Sequence, residues 1–178
     1  IRHSSGLTSW QRQSHGLQQL LEVFVPLNDP VKLLRLSLTN QSDLSRRLTA
    51  TFYAEWLLGA LGSRVKPHVV CEYDPRLQAI VASNAWNSDF SERVAFISAS
   101  SPPHSVTGDR YDFLGAEGDP QHVAGLRHTD LGGRFNPDGD ACAGYQLHID
   151  LAAGESVEVI FMLGQGSDRA EVERLVDH

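Results

Sequence analysis

The chain has 178 residues, 41% of them hydrophobic and 21% charged, with a formal net charge of −7 at neutral pH. That length suits one domain, with two small ones possible, and the composition is that of a globular chain able to bury a sizeable core. The acidic balance argues against nucleic acid or an anionic membrane surface as the main partner, since both reward clustered Lys and Arg; it is silent on neutral partners such as sugars.

No run approaches the ~20 apolar residues of a membrane-spanning helix. Two widely separated cysteines, Cys71 and Cys142, suit buried reduced thiols better than a disulfide framework or a zinc site, which is compatible with a reducing compartment. The first residue is Ile1 and no charged-then-apolar leader follows, so the chain reads as a piece of a longer polypeptide.

Residues 1–16 are polar, and Trp10 is expected to anchor a short leading strand. In residues 19–25 Leu21, Val23 and Val25 share a face, and Asn28-Asp29-Pro30 turns the chain. The strongest pattern follows. Leu34, Leu36 and Leu38 alternate with Arg35, Ser37 and Thr39. Leu48, Ala50, Phe52, Ala54 and Trp56 alternate with Thr49, Thr51, Tyr53 and Glu55. Period-two alternation gives each run one apolar face. The turn-forming Asn40-Gln41-Ser42-Asp43 predicts that the two runs are neighbouring antiparallel strands. Other strands must then cover the face carrying Phe52 and Trp56.

Leu57–Lys66, with Gly59 and Gly62, is expected to be a bulge, a corner or an exposed loop. Residues 68–73 and 79–83 form two short strands about the Asp74-Pro75-Arg76 turn. A polar loop, Asn84–Glu92, carries Trp86 and Phe90 and leads to a strand at 93–98. Thr107–Pro137 is a long irregular excursion rich in Gly, Asp and His, of the kind that is often functional or interface-forming. Tyr145–Leu151 and Val157–Leu163 alternate cleanly on either side of Ala153-Gly154-Glu155. The chain closes on an amphipathic helix, with capping-box spacing from Asp168 to Glu171 and with Val172, Leu175 and Val176 on one side. Many short strands, frequent turns and one helix predict an all-β, two-sheet antiparallel sandwich.

Chemistry-bearing motifs are sparse. None of the eight histidines pairs with another at the i,i+4 spacing of a helix-borne metal site. Asn136–Asp140 has oxygen donors, but Ala141 and Leu147 stand where a calcium loop needs Gly and Glu, so a turn is expected there. No nucleophile elbow is present, and Gly164-Gln165-Gly166 lacks a phosphate-loop Lys. Asp109 and Asp112 flank Arg110 in one loop and suit turn hydrogen bonds and salt bridges better than an acid/base pair. Of the aromatics Trp10, Trp56, Tyr73, Trp86 and Tyr111, strand phase puts Trp56 in the core. Trp86, in a polar loop, is the better ligand candidate of the set, although a loop anchor is its leading reading.

The ordered set HGLQQLLEVFVPLNDPVKLLRLSLTNQSD, TFYAEWLLG, SNAWNSDF, GDRYDFLG and LAAGESVEVIFMLGQG resembles the N-terminal β-sandwich domain of glycoside hydrolase family 94, the inverting glycoside phosphorylases. PLNDPVKLLRL, YAEWLLG and HVVCEYD resemble the phosphorylase-like region of bacterial cyclic β-1,2-glucan synthases. The resemblance implies a large sandwich similar to the galactose mutarotase fold, spanning residues 1–167. Residues 168–178 would begin a helical linker to an (α/α)6 barrel. It implies that the general acid and the phosphate-binding residues belong to that barrel, so no catalytic residue, metal or cofactor is expected here; inorganic phosphate would be a co-substrate of the parent enzyme.

By the same resemblance, Arg64, Lys66 and His68 in the Gly59–His68 loop are candidate substrate-side or cross-subunit contacts; Trp86 joins them as a substrate candidate on its place in a polar loop. Asp109 and Arg110 are candidate contacts to the barrel. The expected partners are a β-glucan oligosaccharide, the parent's barrel and a second copy in a homodimer. The expected setting is the cytoplasmic side of a bacterial inner-membrane protein. A self-sufficient carbohydrate-binding module and a structural spacer are the alternative readings.

Overall fold

The computed structural model describes residues 1–59, 62–116, 118–119, 121–135 and 140–177. Its strands are β1 (Arg2–Ser4), β2 (Leu7–Ser14), β3 (Leu17–Phe24), β4 (Val31–Asn40), β5 (Arg46–Glu55) and β6 (Val70–Asp74). They continue with β7 (Ala79–Ser83), β8 (Val94–Ala99), β9 (Ser105–Asp109), β10 (Ala141–Leu151) and β11 (Ser156–Gly166). Three short α-helices, α1 (Gly62–Val65), α2 (Arg110–Leu114) and α3 (Arg169–Asp177), and two 3-10 turns, Lys66–His68 and Ala124–Leu126, complete the described elements. The strands form an eight-stranded sheet, ordered β1-β2-β3-β4-β11-β8-β7-β6, and a three-stranded sheet, ordered β5-β10-β9. Every pairing is antiparallel. The chain is the two-sheet sandwich that its alternation predicts.

One pairing differs from the sequence reading. β4 and β5 are not neighbours: β4 lies between β3 and β11, and β5 pairs with β10 in the opposite sheet. Asn40 is the physical reason. Its fully buried side chain donates to the carbonyls of Leu44 (2.8 Å) and Ala152 (2.9 Å) and accepts from the Ser42 hydroxyl (2.7 Å). That geometry bends the chain out of the large sheet and ties it to the β10–β11 turn, so the linker crosses between layers instead of closing a hairpin.

The layer between the sheets holds Ile80, Ile97, Tyr145, Leu151 and Phe161, with Trp56 buried as its strand phase predicts. Phe52 stacks on Phe161 at 5.7 Å, and Tyr145 meets the same ring edge-on at 6.4 Å. The Tyr145 hydroxyl donates to the carbonyls of Gln78 (3.0 Å) and Ser101 (3.1 Å), which satisfies its polar end inside the core. Cys71 donates its S–H to the Cys142 carbonyl across the layers at 3.3 Å, and both thiols are free. Burial pushes the Cys71 thiol up to about 12, so it stays protonated and inert at neutral pH.

Both outer faces are partly covered. Val172 and Leu175 of α3 pack on Val31, Ala79, Val81 and Phe96 of the large sheet, so the closing helix has a partner within the domain. On the small sheet, Phe113, Leu114 and Leu131 cover Cys142, and Phe113 stacks on Tyr53 at 4.2 Å. The excursion read as irregular thus contains β9 and α2 and serves in part as an outer cover. The Asn136–Gly139 part of the expected turn lies outside the described residues.

Arg169 anchors α3 by pairing with Glu72 (2.6 Å) and with the buried carboxylate of Asp74. The Arg169 guanidinium, with help from the Arg76 and Leu77 amides, holds the Asp74 carboxyl below its ordinary range against the effect of burial. Its folded pKa is depressed, so this contribution to stability is present above the unfolded value of ~3.9. It is lost as pH falls through the folded value. In Arg169→Ala, carboxyl NMR should show the Asp74 midpoint moving up towards the ordinary range, and α3 amides should exchange faster. An unchanged midpoint would mean that the turn amides alone hold it.

Candidate functional site

Trp56 is buried just beyond the end of β5, and the chain then runs through Leu57–Gly59, α1 and a 3-10 turn at Lys66–His68 to reach β6. Gly59 is required in this path. Its φ is +147°, and a Cβ there would meet Val65 Cγ1 at 2.7 Å. Beside this segment lies the Asn84–Arg93 loop, built from successive turns: Asn87 N–H to Asn84 O, Phe90 N–H to Asn87 O and Arg93 N–H to Phe90 O. Asn84 is 3% exposed and staples the two segments. Its amide donates to the Leu58 carbonyl (2.8 Å), while its oxygen accepts from the Trp86 N–H (3.1 Å).

Between the segments opens a groove of about 410 Å³. Leu57, Leu58, Phe90 and Ala95 give it apolar walls; Asn87, Arg93 and Gln165 supply polar groups. At the end of the same loops His68 stacks on Trp86, with ring centroids 4.9 Å apart and planes 12° from parallel. Trp86 is 57% exposed and Phe90 55%. Arg93 lies over the Phe90 ring at 5.7 Å, a cation–π contact. Apolar walls with a few polar groups, and exposed ring faces beside them, are what a neutral polyhydroxylated ligand needs: C–H faces to stack and hydroxyls to hydrogen-bond.

The six candidate residues do not form one cluster. His68 and Trp86 come together beside the groove. Arg64 is exposed on α1. Lys66 turns away to Glu55 (3.6 Å) and Asp140 (3.3 Å), and Arg110 joins the same group through Glu55 (2.9 Å). The Arg110 guanidinium holds the Glu55 carboxyl below its ordinary range, opposed by partial burial. Asp109 caps α2 by accepting the Tyr111 N–H at 2.8 Å, and Asp112 accepts the Gly132 N–H at 2.9 Å, in line with the turn hydrogen bonds expected of the two carboxylates. The charges of Lys66 and Arg110 are therefore neutralised locally. Sequence reasoning missed Asn84, Asn87, Arg93 and Gln165; the one local signal was the density of Asn, Ser and Asp around Trp86 and Phe90.

A wide antiparallel sheet faced by a narrower one, with loops gathered into a groove, defines a two-sheet antiparallel β-sandwich, a fold shared by solved structures. One such solved structure is a polysaccharide lyase: TM-score 0.56 at 9% identity, covering 94% of this chain and 23% of that one. Another, from Escherichia coli K12 and described as an aldose 1-epimerase, aligns with TM-score 0.54 at 10% identity, covering 93% of this chain and 67% of its own. The chain belongs to the glycosyl hydrolase 94 family, whose supersandwich-domain model matches residues 1–178. It is also 35% identical, over 149 residues, to the cyclic β-(1,2)-glucan synthase NdvB of Rhizobium meliloti (strain 1021). That alignment takes in 83% of this chain and 5% of the relative's length. Among the described residues no helix is long and apolar enough to cross a membrane.

Proposed function

We propose that this is a non-catalytic sandwich domain of a β-glucan-processing glycoside phosphorylase or cyclic β-1,2-glucan synthase, and that its groove holds a stretch of glucan for chemistry performed elsewhere in the polypeptide. The observation that carries this reading is the His68–Trp86 stack beside a groove containing Phe90, Asn87, Arg93 and Gln165. The family match and the kinship with a glucan synthase support the choice of ligand. The same proposal takes residues from 168 onward as the start of a helical linker to a catalytic barrel. It gives the domain packing and homodimer contacts, and places the parent at the cytoplasmic side of a bacterial inner membrane, using inorganic phosphate as co-substrate.

Titration with linear and cyclic β-1,2-glucans, followed by calorimetry and tryptophan fluorescence, tests the groove, with cello-oligosaccharides as controls. A linkage-dependent signal is expected, and Trp86→Ala should weaken binding about tenfold, the loss of one good stacking contact. No heat and no fluorescence change at millimolar glucan would defeat the groove assignment.

A further inference from the structure

The two sheets end at different places. In the large sheet β4 continues outward through β3, β2 and β1, whereas the small sheet stops at β5, which sits over β11 through the Phe52–Phe161 stack. The β1–β3 wing therefore projects past the small sheet. Register carries the apolar inner face of β4 across this wing: Leu36 lies beside Leu21 and then Trp10, and Leu34 beside Val23 and then Thr8. No residue of β1, β2 or β3 is buried, and Trp10 is 37% exposed. Along the same gap β5 runs for ten residues with β10 on one side and, among the described residues, no strand on the other.

Both features ask for the same occupant. An unpaired edge of this length presents a row of amide and carbonyl groups that only another backbone matches well. The half-exposed apolar face of the wing asks for a layer ~10 Å above it. A strand hydrogen-bonded to β5 meets both needs, and each further strand, at ~4.8 Å spacing, extends the cover over the wing. A helix or a sugar would leave the β5 edge unpaired. A second copy does not fit. Antiparallel pairing of two β5 edges about a two-fold axis drives each copy's wing into the space held by the other's β4 and β11.

We propose that the slot beside β5 takes an extended β-strand from the same polypeptide, supplied from outside residues 1–178. The related glucan synthase, of which the aligned segment is 5%, has ample chain to supply one. The strand would alternate, with apolar residues facing Leu21 and Leu36 and polar residues facing out. Arg46 bounds it at one end: its guanidinium donates to the His15 carbonyl on the β2–β3 turn. The strand therefore lies opposite Leu48–Glu55.

Residue-resolved hydrogen exchange on the full-length polypeptide tests this. A strand paired on both edges protects consecutive amides, so slow exchange is expected at every position from Leu48 to Ala54. Alternating protection, with every second β5 amide exchanging ~100-fold faster or more, overturns the proposal. Leu21→Glu puts a charge under the added layer. It should return the outward β5 amides to fast exchange while those paired with β10 stay slow; outward amides that remain slow overturn the proposal. So would protection that appears only on adding β-1,2-glucan, or a cross-linked dimer joined through β5.

Discussion

Phe161→Ala is expected to destabilise the domain by about 4 kcal/mol, near the top of the range for a single core truncation. Phe161 is 4% exposed at the middle of the core. It is the ring on which the sheets meet, stacked on Phe52 of the small sheet and edge-on to Tyr145. Its strand, β11, has partners on both sides, Leu34 and Ala99 at this position, so the backbone has little freedom to close the void. Part of the cost is lost transfer energy and part is the unfilled cavity, with a further fraction for the aromatic pairs. Urea denaturation checks it, with an unchanged slope showing that the denatured state is the same. Phe161→Leu should recover more than half the loss. A cost under about 1 kcal/mol for the alanine variant would mean that the sheets collapse onto the gap.

Asn40→Asp should cost more than Asn40→Ala, although it is nearly isosteric. The Asn40 amide donates to two carbonyls, Leu44 and Ala152, and its oxygen accepts from the Ser42 N–H and hydroxyl. Alanine leaves those buried groups unpaired, at about 1–3 kcal/mol for each one that finds no water. Aspartate keeps the two acceptor bonds but sets a carboxylate against two carbonyl oxygens in a site with no exposure. Like partial charges then add to desolvation, and a loss of about 4 kcal/mol or more is expected at neutral pH. The carboxylate's folded pKa would be raised, since burial and the carbonyls disfavour its charge. Its penalty is therefore largest above that value and shrinks as acid protonates it, giving an O–H that can donate. Thermal melts of the two variants from pH 4 to 8 check the order. A variant that melts like alanine at every pH would show that the carboxylate escapes to water.

The strands most visible in the sequence were those whose alternation runs longest, and β4, β5, β10 and β11 all stand where their leucines, phenylalanines and valines put them. Alternation states which side chains share a face but not which strand lies alongside. For that reason the β4–β5 hairpin was mistaken: the deciding contact, Asn40 with Ala152, joins residues 112 apart. β9 was hidden because it is five residues long and carries Gly108, where a Cβ would strike the Phe135 ring. At the candidate site, a loop aromatic and a resemblance name Trp86 and His68, and the structure stacks their two rings. Gln165 was out of reach, since it arrives from β11 and nothing local marks it. Lys66 and Arg110 looked available in the sequence because their counter-charges, Glu55 at the end of β5 and Asp140 just before β10, come from elsewhere in the chain.

Sheet order has a consequence for how the domain is made. β11 is the strand that joins the β1–β4 half of the large sheet to the β8-β7-β6 half, and β10 is the strand that joins β5 to β9. Both come near the end of these residues in synthesis order, linked by a tight turn at Ala152–Glu155. On the ribosome, the earlier strands emerge as two separate meanders and two lone ribbons. Their apolar faces and open edges wait for this last hairpin: the small layer cannot close before Leu151, nor the large one before Gly166, has left the exit tunnel. The nascent segment is at its most adhesive just before this hairpin emerges, and holdase chaperones would find their target in that interval.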